Sequence, residues 1–295
     1  MVWTYLGFTA RLERDSQVDL MPELSDWETS QGDHWAAHAD RYTRMLAPYG
    51  ELVTAAAGYR AGERVLDVGC GNGDLSVLAG PAVQPGGLVL GIDLSPAELA
   101  VAATRADAAG VTGVTFSLGD AASERPASAP FDVVVSRFGV MFFPDPVAAF
   151  TNLRSLLAPG GRMALVCWRE LLANDWMTVP AAAIGEVLPL PAGADPSAPG
   201  PFAFADRDRV EDVLRGAGLV DVRLSEVSPR IWMGADAGAA ADFIRGSGLG
   251  RAVFAGVDPA LEAEAMARAT AALAAYETPD GVWLGSAAWL VTARA

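Results

Sequence analysis

The feature of this sequence that most restricts its fold is the stretch Val65-Leu66-Asp67-Val68-Gly69-Cys70-Gly71-Asn72-Gly73-Asp74. A short apolar run ends in three glycines spaced two apart, and a helical pattern begins directly after them. Such a turn lets a strand bend sharply into a helix, with positive φ where needed and no Cβ to hold a ligand away from the backbone. The helix start that follows offers free amide groups to a carboxylate or phosphate. Glycine-rich turns also occur without ligands, so the weight falls on what surrounds this one.

Around it, strand and helix patterns alternate from about residue 64 to 170. Apolar runs at 64–68, 88–92, 114–118, 131–135 and 163–168 are mostly continuous rather than alternating, as in strands covered on both faces. Ser95-Pro96-Ala97-Glu98 supplies an N-cap, a first-turn proline and a glutamate placed to close a capping box, and Gly110 supplies the stop. Asp145-Pro146 opens another helix, with Val147, Phe150, Leu153 and Leu157 on one face and Pro159-Gly160-Gly161 ending it. This alternation predicts a parallel, doubly wound α/β sheet.

Beyond residue 170 the rhythm breaks. The stretch 171–205 is rich in Pro and Ala, and 189–201 cannot form one regular element. Asp206 caps a helix with Val210, Val213, Leu214 and Ala217 in register and Gly218 as its stop. Residues 219–227 read as a strand through Val220, Val222 and Leu224, 235–276 as mostly helical, and 287–293 as a last strand. A further helix is expected around 31–46.

Charge narrows the function. There are 36 acidic residues against 21 basic ones, all arginine, for a net charge of −15. A charge-driven grip on nucleic acid or anionic lipid is excluded on that balance. The lack of lysine excludes a lysine Schiff base or lysine general base. Cys70 and Cys167 are too few for a disulfide framework or a structural zinc site, and no metal is expected. No apolar run approaches the roughly 18 residues of a membrane span. The first eight residues lack the basic start and cleavage site of a signal peptide. A soluble, cytoplasmic protein is expected.

Two further acids extend the glycine turn. Asp93 lies at the tip of the second strand, 20 residues after Gly73, where a carboxylate can accept from both hydroxyls of a ribose; its alternative role is to join Ser95 in capping the next helix. Asp120, in Leu118-Gly119-Asp120-Ala121, follows the third strand, where it meets an adenine amino group or merely shapes a turn. A dehydrogenase also uses a glycine turn and an acid. Its G-x-G-x-x-G spacing is absent, because the third glycine comes one residue early.

With these stretches, Gly91 to Ser95, Arg137-Phe138-Gly139-Val140-Met141-Phe142-Phe143 and Pro159-Gly160-Gly161, the chain resembles the class I S-adenosylmethionine-dependent methyltransferases, in particular the small-molecule group that includes quinone-ring methyltransferases. The resemblance covers about 42–227 and the final strand. It implies a seven-stranded Rossmann-like sheet with the last strand antiparallel, a helical N-terminal cap (1–50), and a methyltransferase domain (51–295) with helical lid insertions at about 171–205 and 235–280. It also implies that S-adenosylmethionine is the cofactor and S-adenosylhomocysteine the product. Asp67, Gly69, Cys70, Gly71 and Gly73 would line the methionine end, Asp93 and Leu94 the ribose, Asp120 and Ala121 the adenine, with Ser136 and Arg137 beside the methionine moiety. The Cys70 and Cys167 thiols read as packing.

Methyl transfer is an in-line displacement that works by holding the nucleophile near the methyl and keeping water out. A general base is needed only when the acceptor loses a proton. His34, His38 and Arg137 are the catalytic candidates; the histidines share a helix face at i, i+4, with surface packing as their alternative role. Tyr42, Phe138, Met141, Trp168, Trp176 and Trp232 are candidates for the acceptor pocket, and core packing is the alternative for each. Phe142, Phe143, Met233 and Phe243 belong to the same group, with Trp27 and Trp35 as apolar anchors or a wall over the cofactor. The expected reaction is methyl transfer to a small, mostly uncharged organic acceptor. The alternatives are a cofactor-binding protein that has lost transfer, or an enzyme of the same fold with other chemistry. The transferred-to atom stays open, as does the choice between monomer and homodimer.

Overall fold

The computed structural model describes residues 24–190, 195 and 198–295. The expectation for the first eight residues, the first 23 residues of the expected cap, and part of 189–201 lie outside the described residues. The chain begins with helices α1 (Leu24–Trp27), α2 (Ser30–Ala37) and α3 (Ala39–Ala57). The single helix expected around 31–46 is therefore two. His38 leaves helical geometry at φ −117, ψ 23, and its amide bonds back to Trp35 and Ala36 before α3 starts.

The alternating region follows as β1 (Arg64–Val68), α4 (Asp74–Val83), β2 (Leu88–Asp93), α5 (Pro96–Ala108), β3 (Val114–Leu118), β4 (Phe131–Arg137), α6 (Pro146–Ser155) and β5 (Leu157–Trp168). Then come α7 (Asp175–Gly185), α8 (Arg207–Gly216), β6 (Val220–Val227), β7 (Arg230–Gly234), α9 (Ala237–Gly246), α10 (Gly248–Phe254), α11 (Pro259–Ala274), β8 (Glu277–Thr278), β9 (Gly281–Gly285) and β10 (Ala288–Arg294). Seven strands form the main sheet in the order β3-β2-β1-β4-β5-β10-β6. The first five run parallel, and β10 lies antiparallel to both β5 and β6, as the resemblance implies.

The continuous apolar runs form the middle of this sheet. Val65, Val133, Val134, Val135, Ala164 and Val166 are fully buried because helices cover both faces. The edges differ. Leu118 on β3 is 58% exposed and Val220 on β6 is 53% exposed, so Val220 does not point inward as its alternation suggested. The fifth strand starts six residues earlier than expected. Helix α6 ends at Ser155, the Phe131 amide takes the Leu156 carbonyl, and Leu157 pairs with Phe131 in the sheet rather than extending the helix face. Pro159-Gly160-Gly161 thus lies within β5, at a register break opposite β4, with Gly160 at φ +77.

Three strands on either side of the helices in 235–276 were not anticipated. Strands β7, β9 and β8 form a second, antiparallel sheet of three strands, packed with α7, α9 and α11. Strand β7 shows no alternation because Ile231, Trp232 and Met233 are all buried in succession. A small separate core of Ile184, Leu188, Phe254, Ala265 and Ala269 joins α7 to α10 and α11. Among the described residues no helix is long and apolar enough to cross a membrane.

Candidate active site

The strand order places β1 between β2 and β4, so successive crossovers leave in opposite directions there and a crevice opens at the strand C-termini. The glycine turn fills that position. Gly69, Gly71 and Gly73 have φ of +63, +50 and +76. A Cβ on Gly69 would stand 2.9 Å from the Gly139 Cα after β4, and one on Gly73 would stand 2.7 Å from the Ala102 Cβ on α5. The turn is therefore held between two elements at backbone distance, which only glycine permits. Asn72 fixes it from the other side. Its side chain donates to the Ala39 carbonyl and accepts from Arg105, whose guanidinium also reaches Thr43 and Asp40.

Four acids gather here. Asp67, at the end of β1, is 1% exposed and accepts from the Ser76 hydroxyl at 2.6 Å. Burial pushes its carboxyl up to about 7, against the pull of Ser76 and Arg137. Asp93 accepts from the Gly71 amide at 2.7 Å and the Ser95 amide at 2.9 Å. Burial raises its carboxyl despite those amides. The bond to Ser95 is the helix-capping role expected as the alternative for Asp93, and the bond to Gly71 braces the turn. Asp74 pairs with Arg137 at 2.6 Å in a mostly buried ion pair, and Arg137 also donates to the Leu46 carbonyl. Glu98, 3% exposed, is pushed up to about 7 by burial and by Asp93.

Residues 60–184 match a family model described as a methyltransferase domain. Nocamycin O-methyltransferase of Saccharothrix syringae is 36% identical over 174 residues, 56% of this chain and 61% of that protein. Aklanonic acid methyltransferase of a Streptomyces species is 35% identical over 121 residues, 41% and 52% of the two chains. An uncharacterized protein of Mycobacterium tuberculosis is 38% identical over 124 residues, 42% of this chain and 44% of that protein. The chain thus spans about half the length of the curated relatives it matches. Among solved structures, the YcgJ protein of Bacillus subtilis superposes with a TM-score of 0.55 at 19% identity, covering 84% of this chain and 98% of that one. Residues 60–184 are thus similar to a methyltransferase domain.

Within the matched region, Leu94 directly follows β2, and Ala121 lies three residues past the end of β3. The Asp120 carboxylate accepts from the Ala122 amide at 2.9 Å and so closes its own turn. Cys70 is a buried thiol within the glycine turn. The Ser136 hydroxyl donates to the Val68 carbonyl at 2.7 Å, tying β4 to β1 beside Gly139. Phe138 adopts φ +66, rare for a bulky residue, and its ring stacks on Trp168 at 3.9 Å with Tyr49 edge-on to both. Trp176 extends this aromatic group from α7, and the Met141 sulfur accepts from the Trp168 amide.

A second aromatic series crosses the mouth of the matched region. Phe142 meets Trp27, Trp27 meets Trp35, Trp35 stacks on Tyr42 at 3.6 Å, and Tyr42 meets Phe243 on α9. Helix α2 lies against α5, with Gly32 seated directly on Ser95. His34 and His38 sit 4.4 Å apart by ring centroids on the side facing α9, near Phe243 and Gly246. Burial, His38 and Arg251 lower His34 to about 4, so its imidazole is neutral. Trp232 lies between Arg41 and Arg44 and donates to the Asp280 carbonyl, which secures β7 to α3 and β9. Among the described residues no group of three or more His, Cys, Asp and Glu side chains is placed to hold a metal ion.

Glu98, Asp74, Ser76, Asn72 and Gly139 escaped the sequence reading as site residues. Glu98 was visible only as a capping glutamate. Asn72 and Asp74 lie inside the motif itself, and their partners Arg105 and Arg137 come from 33 and 63 positions away.

Proposed function

We propose that the chain transfers a methyl group from S-adenosylmethionine to a small, mostly uncharged organic acceptor. The observation that carries this reading is the glycine turn at the β1/β4 switch point with the Asp93 carboxylate braced beneath it. The residues fit that cofactor. Gly69, Gly71 and Gly73 hold the turn in positive φ so that its backbone can approach a ligand closely, Asp93 supplies acceptors at the second strand tip, and a buried Glu98 oxygen lacks a donor. Bound there, S-adenosylmethionine supplies an electrophilic methyl on a sulfonium.

The chain's own contribution is placement and exclusion of water. Asp67, Gly69, Gly71, Ser136 and Arg137 would hold the amino-acid end, Asp93 and Leu94 the ribose, and Asp120 and Ala121 the adenine. The Phe138–Trp168 stack and the Trp27–Trp35–Tyr42 series would close an apolar space against solvent, which favours a displacement in which charge disappears. An apolar or aromatic acceptor suits those walls. The names of the nocamycin and aklanonic acid enzymes support a small organic acceptor, with oxygen favoured as the receiving atom. His34, neutral and with a buried, unpartnered Nε2, is the candidate to take a proton from such an acceptor.

Calorimetry with S-adenosylhomocysteine tests the cofactor half. The wild type should bind and Asp93→Ala should lose most of that affinity; a wild type that does not bind overturns the reading. Incubation with labelled cofactor and pools of small phenols, carboxylic acids and enols then tests transfer. Label reaching none of them, with the cofactor bound, favours a binding protein.

A further inference from the structure

The crevice beside the glycine turn holds more carboxyls than cations to meet them. Asp74 has Arg137 at 2.6 Å, and the other guanidinium nearby, Arg105, is engaged by Asp40 and by the Asn72 side chain, both at 2.8 Å. Asp67 accepts from the Ser76 hydroxyl, and Asp93 from the Gly71 and Ser95 amides. That leaves Glu98. It lies in the first turn of α5, 3% exposed, with its Oε2 2.7 Å from the position of a Cβ on Gly71. Its Oε1 is buried and has no hydrogen-bond partner. The capping box expected at this helix is only half formed: the Ser95 hydroxyl accepts from the Glu98 amide, but the Ser95 amide goes to Asp93. A buried carboxyl so placed keeps its proton until a cation arrives.

Resting on the cofactor reading, we propose that Glu98 makes the crevice discriminate by ligand charge, ionising opposite the sulfonium of S-adenosylmethionine and regaining a proton from water when S-adenosylhomocysteine takes its place. The two ligands share an ammonium, a carboxylate and a nucleoside, and the ribose belongs to Asp93 in both. They differ by one methyl group and one positive charge at sulfur. Asp67 has Ser76 on one oxygen and would face the amino-acid end of either ligand, so it does not tell them apart. Glu98 has neither partner. The groups that face it are Asp93 on β2, Cys70 in the turn, Tyr42 on α3, Arg137 on β4 and, on its own helix, Arg105. Both guanidiniums already hold carboxylates, so an added cation in the crevice has an unmatched acid to meet. Burial and Asp93 place Glu98 at about 7 in the free protein, which puts both of its states within reach near neutral pH. A reaction that turns the cation into a neutral thioether would thereby loosen the grip on its own product.

The test uses the full chain with S-adenosylmethionine, S-adenosylhomocysteine and sinefungin, in which an ammonium-bearing carbon replaces the sulfonium. Calorimetry at pH 7 in two buffers of different ionisation enthalpy counts the protons exchanged on binding. The two cationic ligands should release about half a proton and the thioether should take up about half, as for a group half-ionised at that pH. The affinity ratio of cationic to neutral ligand should rise between pH 6 and 8. Glu98→Gln should remove the difference in proton count and flatten that rise. At pH 7 it should weaken the cationic ligands about tenfold, the scale of one charge pair in a partly polar interior, and leave the thioether within about twofold. Glu98→Met, which preserves side-chain volume, should do the same, and thermal melts establish that each variant folds. Equal weakening of all three ligands would assign Glu98 to the shape of the turn and overturn the proposal. So would a proton difference that survives Glu98→Gln, or one that disappears in Asp67→Asn instead. If the wild type binds none of the three, the cofactor reading falls first.

Discussion

Adding one methyl group at Gly71 separates two physical effects in the glycine turn. Gly71 has φ +50, and an L side chain in that region costs about 1–2 kcal/mol. The new Cβ would also arrive 2.7 Å from the Glu98 Oε2. That oxygen ends a flexible side chain, so the carboxyl yields rather than the backbone. Overpacking a filled site costs about 1–3 kcal/mol. Gly71→Ala should therefore destabilise the protein by about 2–5 kcal/mol in urea unfolding, the sum of the two effects. In a Glu98→Ala background only the backbone effect survives, and the same substitution should cost about 1–2 kcal/mol. Gly160→Ala is the internal control: its φ is +77 and nothing lies within 4 Å of its Cβ position, so it reports the backbone effect alone. The coupling between positions 71 and 98 should then be at least about 1 kcal/mol. Additivity within about 0.5 kcal/mol would refute the placement of Glu98 against the turn.

Other consequences can be measured independently. The folded-state carboxyl of Glu98 sits near 7, above its unfolded value, so the stability it contributes is present at low pH and is lost as pH rises from about 4.5 through 7. The stability difference between wild type and Glu98→Gln should decline by about 1 kcal/mol per unit between pH 5 and 7 in thermal melts; a flat difference would refute the burial argument. His34, lowered to about 4, acts with the opposite sign below its unfolded value but is common to both proteins and cancels. Arg137→Met strands the mostly buried Asp74 carboxylate and should cost about 3 kcal/mol, with Arg137→Met/Asp74→Leu regaining most of it; a single-variant loss below about 1 kcal/mol would show that the pair is solvated. Gly32→Ala would drive a methyl group into Ser95 and the Trp27 carbonyl. It should lift α2 from α5, red-shift tryptophan emission and speed proteolysis within 24–38, while the main unfolding transition stays in place. An unchanged digestion pattern would count against that contact.

Much of the fold was legible because the relevant forces are local. Short apolar runs flanked by caps and glycines at 64–168 locate five strands and their helices, since each pattern is set by residues within a turn or two of one another. The three-stranded sheet was missed for the converse reason. β7 is a five-residue run buried in succession after Arg230, and its partner β9 lies some fifty positions on. A signal was nevertheless present, because Thr278-Pro279-Asp280-Gly281 is a turn sequence between two apolar stretches. The break at His38 had no such marker and reflects how α2 lies on α5.

What the sequence determined by itself is the glycine turn, its place after a strand, and the acids at the following strand ends, because covalent spacing and backbone sterics fix them wherever the rest of the chain goes. Tertiary structure alone decided which groups those acids meet. Asp93 became a brace for Gly71, Arg137 a partner for Asp74, and Glu98 a buried carboxyl with an empty lone pair rather than a helix cap. Hydrogen bonds and desolvation depend on neighbours brought together across tens of residues, and that proximity exists only once the sheet has assembled.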